Sequence, residues 1–202
     1  MFCLSKPGRV EIDRFISAAA DSCLSYQNIG ATRDLELPLN GAAPITSHVI
    51  DHNRELIGTG ENDWEKSKEA IRNWKMFDFQ WVELCWPDTP IESGKNVAIL
   101  VGHLGFFSLN AARIVYTLDE PNRFGFAYGT LEDHSESGEE RFSVEFDAES
   151  GDVWYDLLAF SRPNHFLAWL GYPFTRALQK QFALDSKAAI KRVVTRGNDV
   201  KL

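Results

Sequence analysis

Cysteine is scarce in this chain and badly spaced for bridging. Cys3, Cys23 and Cys85 are odd in number, lie far apart and form no C-x-x-C pair. That usage predicts unpaired thiols in a reduced, cytoplasmic setting. Long apolar runs are missing too: none approaches the ~20 residues of a membrane helix, so no span is expected. The opening MFCLSKPGR has neither the apolar core nor the cleavage pattern of a secretory leader, and no N-x-S/T acceptor occurs. Positive charge is in deficit. Lys and Arg number 21 against 29 Asp and Glu, a formal net charge of −8. This argues against a general nucleic-acid binder, which needs a basic face, although a local basic cleft stays open. Several catalytic and metal signatures are also absent. There is no G-x-S-x-G elbow. Gly58-Thr59-Gly60 stands before a helix like a phosphate loop, but no third glycine and no Lys-Ser/Thr follow. An EF-hand count from Asp133 reaches Val144 where a bidentate Glu is required. His48 and His52 have i,i+4 spacing without a helical pattern or a further ligand, so neither a metal nor a cofactor is expected.

What the chain has is aromatic and β-branched alternation. Phe124, Phe126, Tyr128 and Thr130 alternate with Gly125, Ala127, Gly129 and Leu131. Phe142, Val144 and Phe146 alternate with Arg141, Ser143 and Glu145, and Val153, Tyr155, Leu157 and Ala159 repeat the pattern. Period two in such residues predicts strands. A polar loop over Glu132–Gly138 joins the first two, and turn formers at 147–151 join the second pair. Upstream, the pattern predicts a helix over Arg9–Leu24, an irregular stretch to Ala43, and an extended segment over Thr46–Gly58. A second helix follows, capped by Asn62 with Glu65 and running to about Met76. Three strands come next: Phe79–Trp86, Lys95–Val101 and Phe106–Leu118. After Pro163 the period changes to 3.6. Asn164 can cap a short helix over His165–Leu170, and a long helix then runs to about Val194, with Phe174, Leu178, Phe182, Ala189, Ile190 and Val193 as its buried stripe.

Consecutive strands with short turns imply an antiparallel sheet, and helices at both ends imply α+β. The expected architecture is a curved sheet gripping a long C-terminal helix, the helix-grip or START-like arrangement, with an apolar cavity between them. No repeat or long linker divides the chain. It reads as a single domain over 1–202, with an N-terminal helix and irregular segment over 1–45 and a helix-grip core over 46–196.

Four stretches carry a family resemblance: FAYGTLEDHSESGEERF, AFSRP, YQNIGATR, and the GTG…W…A…W run entering the second helix. Together they resemble the DUF1990 family, also called UPF0548, from about Ser25 to Val194. The chain departs from the family pattern around His134, where Glu132-Asp133 and Ser135 stand in place of Pro-Gly and Pro. The resemblance implies a shared fold and a shared site, and carries no reaction with it.

The candidate site residues come from the central strands. His134, in an acidic loop, reads either as a general base or as a turn residue in water. Successive residues point to opposite faces, so only one of Glu139 and Glu140 can face a cavity. If that residue is Glu140, it needs a partner, and Arg113 and Arg162 are the expected ones. Arg162 is also expected to pin the strand-to-helix corner. Phe124, Phe126, Tyr128 and Thr130 are expected to face inward and line the pocket; the alternative turns Gly125, Ala127 and Gly129 toward the terminal helix. Three readings follow. In the first, a small apolar or amphipathic ligand binds in the cavity. In the second, an enzyme there uses acid–base chemistry through His134, Glu140 and Tyr128. The third is a protein-interaction domain with an exposed aromatic surface.

Overall fold

The computed structural model describes residues 1–33, 48–132, 134, 136–164 and 172–196. Among them, β1 (Phe2–Cys3) and α1 (Arg9–Ala18) open the chain, followed by β2 (Val49–Thr59) and α2 (Gly60–Arg72). The strands β3 (Val82–Cys85), β4 (Asn96–Gly102), β5 (Phe107–Glu120), β6 (Arg123–Thr130), β7 (Glu136–Phe146) and β8 (Asp152–Pro163) come next. The long helix α3 (Tyr172–Thr195) ends the described chain. The sheet is antiparallel in the order β2-β8-β7-β6-β5-β4-β3, and β1 pairs with β5 off this path. β3 to β8 follow chain order, and β2 joins the far edge beside β8. Register shifts at Leu56/Gly58 in β2 and Ile114/Tyr116 in β5 add twist, and the sheet curls around α3. This is the helix-grip arrangement expected from the element order.

The period-two reading of the central strands holds, and so does the inward direction of the bulky face. Phe126 and Phe142 are fully buried, with ring centroids 5.3 Å apart. Trp74 stands edge-on to Phe126 at 4.8 Å. Trp64, Ile71 and Trp74 of the α2 region share this core with Phe77, Tyr155 and Ile190. The small face of β6 is turned outward, where the N-terminal segment covers it. A Cβ on Gly129 would lie 2.2 Å from the Tyr26 hydroxyl, so only glycine lets that ring approach the strand.

Several boundaries move. α1 stops at Ala18 rather than Leu24, and Leu24 instead bridges to Leu131 beside the end of β6. α2 begins at Gly60, not at Asn62. Its first turn is capped from within, Asp63 accepting from the Thr59 amide at 3.2 Å. β7 begins at Glu136, so Gly138 is a strand residue rather than the end of a loop. Phe174, assigned to the buried stripe of the last helix, is 52% exposed. The buried positions of α3 are Ala183, Ser186, Ala189, Ile190 and Val194, all in its C-terminal two-thirds. The short helix expected over His165–Leu170 lies outside the described residues. No helix among the described residues is long and apolar enough to cross a membrane.

Candidate functional site

The register of the sheet assembles the site in rows. Phe126, Phe142 and Leu157 are cross-strand neighbours and form a closed apolar layer. Two residues further along each strand, the row reads Tyr128, Glu140, Ala159 and Asp51. Beyond it, Gly138 stands opposite Ser161. The small side chains of Ala159 and Ser161 leave space where the preceding row is filled, and Gly138 lets the β8 backbone pass close to β7. That space is a cavity of about 940 Å³ between the sheet and α3, bordered by Tyr128, Glu140, Ala159, Leu157, Leu178 and Phe182, among others. Its size suits a small organic molecule.

The two ends of α3 are held differently. The C-terminal part packs on the core, and Ser186 meets the buried Tyr155 hydroxyl at 2.8 Å. Over the cavity the attachment is polar. Arg176 grips Asp51 with both terminal nitrogens, at 2.5 and 2.6 Å, and also donates to the Gln179 side chain. Gln179 in turn donates to Glu136 at 2.6 Å and to Ser161 at 3.0 Å. Phe174, Phe106 and Phe2 make an apolar rim at the cavity's edge.

Of the two acids in the central row, Asp51 is paired with Arg176 and Glu140 meets a phenol. The Glu140 Oε2 accepts from the Tyr128 hydroxyl at 2.7 Å, and among the described residues no guanidinium or ammonium pairs with it. Burial raises its carboxyl to about 7 and outweighs the Tyr128 hydrogen bond, which pulls the other way; Glu136 and Asp51 push it up further. The Tyr128 phenol is driven well above its usual value, by burial first and then by the neighbouring Glu140 charge. A carboxyl that titrates near neutrality beside a phenol can hold or give up a proton, and can accept a hydrogen bond from a bound molecule.

The residues picked from the sequence fall into two groups. Tyr128, Thr130, His134 and Glu140 border the cavity. The Thr130 hydroxyl is already engaged, with the Ser25 hydroxyl at 2.6 Å and both backbone groups of Gly138. The His134 Nδ1 accepts from the Glu136 amide at 3.0 Å. Phe126 is not a lining residue but lies in the closed layer, and Phe124 packs further along, under the Arg72 guanidinium at 4.5 Å. Neither arginine expected to partner Glu140 does so. Arg113 sits opposite Gly129 on the outward parity of β5, where it holds Asn96 and the Ala20 carbonyl, both at 2.8 Å, below the end of α1. Arg162 is exposed on β8, one residue past the inward-facing Ser161. The strand-to-helix corner that Arg162 is expected to pin lies outside the described residues, and on the described part of α3 Arg176 holds Asp51. Of the two histidines at i,i+4 spacing, His52 meets Asp156 at 2.6 Å, and the His48 ring stands edge-on to Phe160 at 5.3 Å.

Sequence reasoning missed Asp51, Glu136, Arg176 and Gln179. A signal existed in Thr175, Gln179 and Ser186, spaced by four and seven residues, where polar residues interrupt an otherwise apolar helix face.

The outer face carries the motifs of the resemblance. Glu139 accepts from the Tyr26 hydroxyl and the Gly30 amide, each at 2.7 Å, and from the Thr32 amide at 2.9 Å. The Thr32 hydroxyl is a further donor. YQNIGATR is thus clamped by GEERF. A family model described as "Domain of unknown function (DUF1990)" matches residues 25–189. The chain belongs to the DUF1990 family. A UPF0548 protein of Dictyostelium discoideum is 34% identical over 216 residues, covering 100% of this chain and 99% of the relative. One of Arabidopsis thaliana is 40% identical over 176 residues, 84% of each chain. Among solved structures, the di-domain ARO/CYC StfQ from the steffimycin biosynthetic pathway is similar with a TM-score of 0.51 at 9% identity, over 76% of this chain and 52% of that one. At that identity the likeness concerns the fold alone. Among the described residues no Trp is exposed, the feature that would favour an interaction domain: Trp64 and Trp74 are buried, and Trp81, Trp86 and Trp154 are partly so.

Proposed function

We propose that the domain binds a small amphipathic molecule between the sheet and α3, its apolar body against Leu157, Leu178 and Phe182 and its polar end at Tyr128 and Glu140. The observation that carries this reading is the row Tyr128-Glu140-Ala159-Asp51, in which a small residue between two acids opens a cavity of about 940 Å³ beside an unneutralised carboxylate. A core built only for stability would fill that row, because voids and unpaired buried charges both cost free energy. The whole chain acts as one unit in this reading, since the Glu139 clamp ties residues 26–32 to the sheet. A cytoplasmic setting fits the three free thiols, of which Cys23 is exposed.

The test is Ala159→Trp, which places an indole in the cavity. Binding of the neutral dye Nile red to the wild-type chain and its loss in the variant, with a native-like circular dichroism spectrum, is the expected result. Native mass spectrometry of the purified wild-type protein should show a copurified small molecule. Equal dye binding by both proteins overturns the assignment of the cavity as the site.

A second reading, acid–base catalysis in the same cavity, is favoured by the Glu140 carboxyl at about 7 in contact with the Tyr128 phenol. It predicts turnover with a pH dependence near 7 that is lost in Glu140→Gln.

A further inference from the structure

We infer that the polar end of the ligand is a protonated amine, which pairs with Glu140. The inference rests on the ligand-binding reading above and specifies the ligand's class. The argument begins with what Glu140 lacks. Its Oε2 is engaged by Tyr128, whereas its Oε1 has no hydrogen-bond donor among the described residues. Glu140 is partly open to the cavity, in the middle of the sheet, with Ala159 beside it on β8.

The surroundings of Glu140 decide the sign of the missing partner. From β7 it is faced by Glu136, and from β2 by Asp51, both of which add negative potential. β6 and β8 contribute the phenols of Tyr128 and Tyr155, each held protonated by burial. On α3, the Arg176 guanidinium is committed to Asp51 and Gln179. Lys180 lies at the exposed margin of the cavity, and His134 spends its Nδ1 on the Glu136 amide. Asp51, Glu136 and Glu140 therefore face the space from the sheet, against the Arg176 guanidinium, which is already bound, and the Lys180 ammonium at the exposed margin. A hydroxyl on the ligand would satisfy the free lone pairs of Oε1 but leave the charge uncompensated. An ammonium group does both, and the low-polarity walls strengthen the attraction. An anionic ligand would meet like charge from all three acids and would have to displace Asp51 from Arg176.

The experiment compares three ten-carbon probes of matched apolar length: decylamine, 1-decanol and decanoate. Each competes with Nile red on the full chain at pH 8, where Glu140 is ionised. Decylammonium should bind roughly tenfold or more tightly than decanol, and decanoate should bind weakest. In Glu140→Gln the amine-to-alcohol ratio should fall to about one. It should also shrink in the wild-type protein at pH 6, as Glu140 takes up its proton. Using the ratio removes any general change in the cavity of the variant. Decanol binding with no preference for the amine, or a preference that survives in Glu140→Gln, overturns the amine assignment and leaves the cavity reading standing. Decanoate as the tightest probe does the same. Displacement by none of the three overturns both.

Discussion

Glu139 and Glu140 are neighbours in sequence and opposites in circumstance. Glu139 points to the outer face of β7, where four donors from Tyr26, Gly30 and Thr32 converge on one carboxylate that is 2% exposed. Beside it, Arg141 donates to Asp156 at 2.8 Å and to the Thr32 carbonyl at 2.6 Å, and His52 completes the second oxygen of Asp156. Glu140 points to the inner face and has one donor. The contrast separates two uses of buried charge. On the outer face charges are matched and hydrogen-bonded, which fastens the N-terminal segment in one position. On the inner face a carboxylate is left with free lone pairs beside a cavity, an arrangement that makes sense when something else completes it.

The largest expected effect is on the matched face. Arg141→Ala strands Asp156 in the interior and removes the donor to the Thr32 carbonyl. It should cost about 3–5 kcal/mol in urea unfolding, and a loss below 1 kcal/mol would deny the outer network its structural role. Glu139→Gln keeps the shape but removes the charge on which the Tyr26, Gly30 and Thr32 donors converge. The expected cost is about 2–3 kcal/mol, together with faster hydrogen exchange at the Gly30 and Thr32 amides.

Glu140→Gln should have the opposite sign. The Glu140 pKa is raised from 4.5 to about 7 in the folded chain, so the folded state holds its proton more tightly than the unfolded state does. Wild-type stability therefore declines as pH rises from about 4.5 to about 7, and the penalty is complete above that. Water reaching the cavity reduces it to about 2 kcal/mol. Unfolding at pH 8 should show the glutamine variant more stable than the wild type, and at pH 4.5 the two should coincide; a variant less stable at pH 8 would mean that Glu140 is matched after all. The smallest effect belongs to Tyr128→Phe, which removes the single donor to Glu140. It should lower stability by about 1 kcal/mol and move the midpoint of the pH-dependent decline upward, since the hydrogen bond favours the ionised carboxylate.

Much of the fold was legible because it follows from local pattern. Alternation in Phe124–Thr130, Phe142–Phe146 and Val153–Ala159 requires extended backbone with one apolar face, and short turns between such strands leave antiparallel pairing as the natural solution. That Glu139 and Glu140 diverge was equally legible, since strand geometry alone separates them. Helix ends were less so. The Asn62 cap failed because Asp63 reaches back to the Thr59 amide from one turn inside, a contact that depends on how Gly58 and Gly60 bend the chain. Phe174 was misplaced because 3.6 periodicity shows which face of a helix points inward but not whether core or cavity waits there.

The sequence by itself determined the strands and the presence of a long closing helix, since each depends on residues within one or two turns of chain; it left two facings open for Phe124–Thr130, and the packing of Trp74 and Phe142 on Phe126 decided between them. Tertiary structure alone decided the partners. Arg176 lies 125 residues from Asp51, and Glu139 lies 109 from Gly30. Whether a charge is matched or left open depends on register across four strands and the position of a helix over them. A one-residue slip would send Glu140 to the outer face and Glu139 to the cavity, with the same amino acids in the same order.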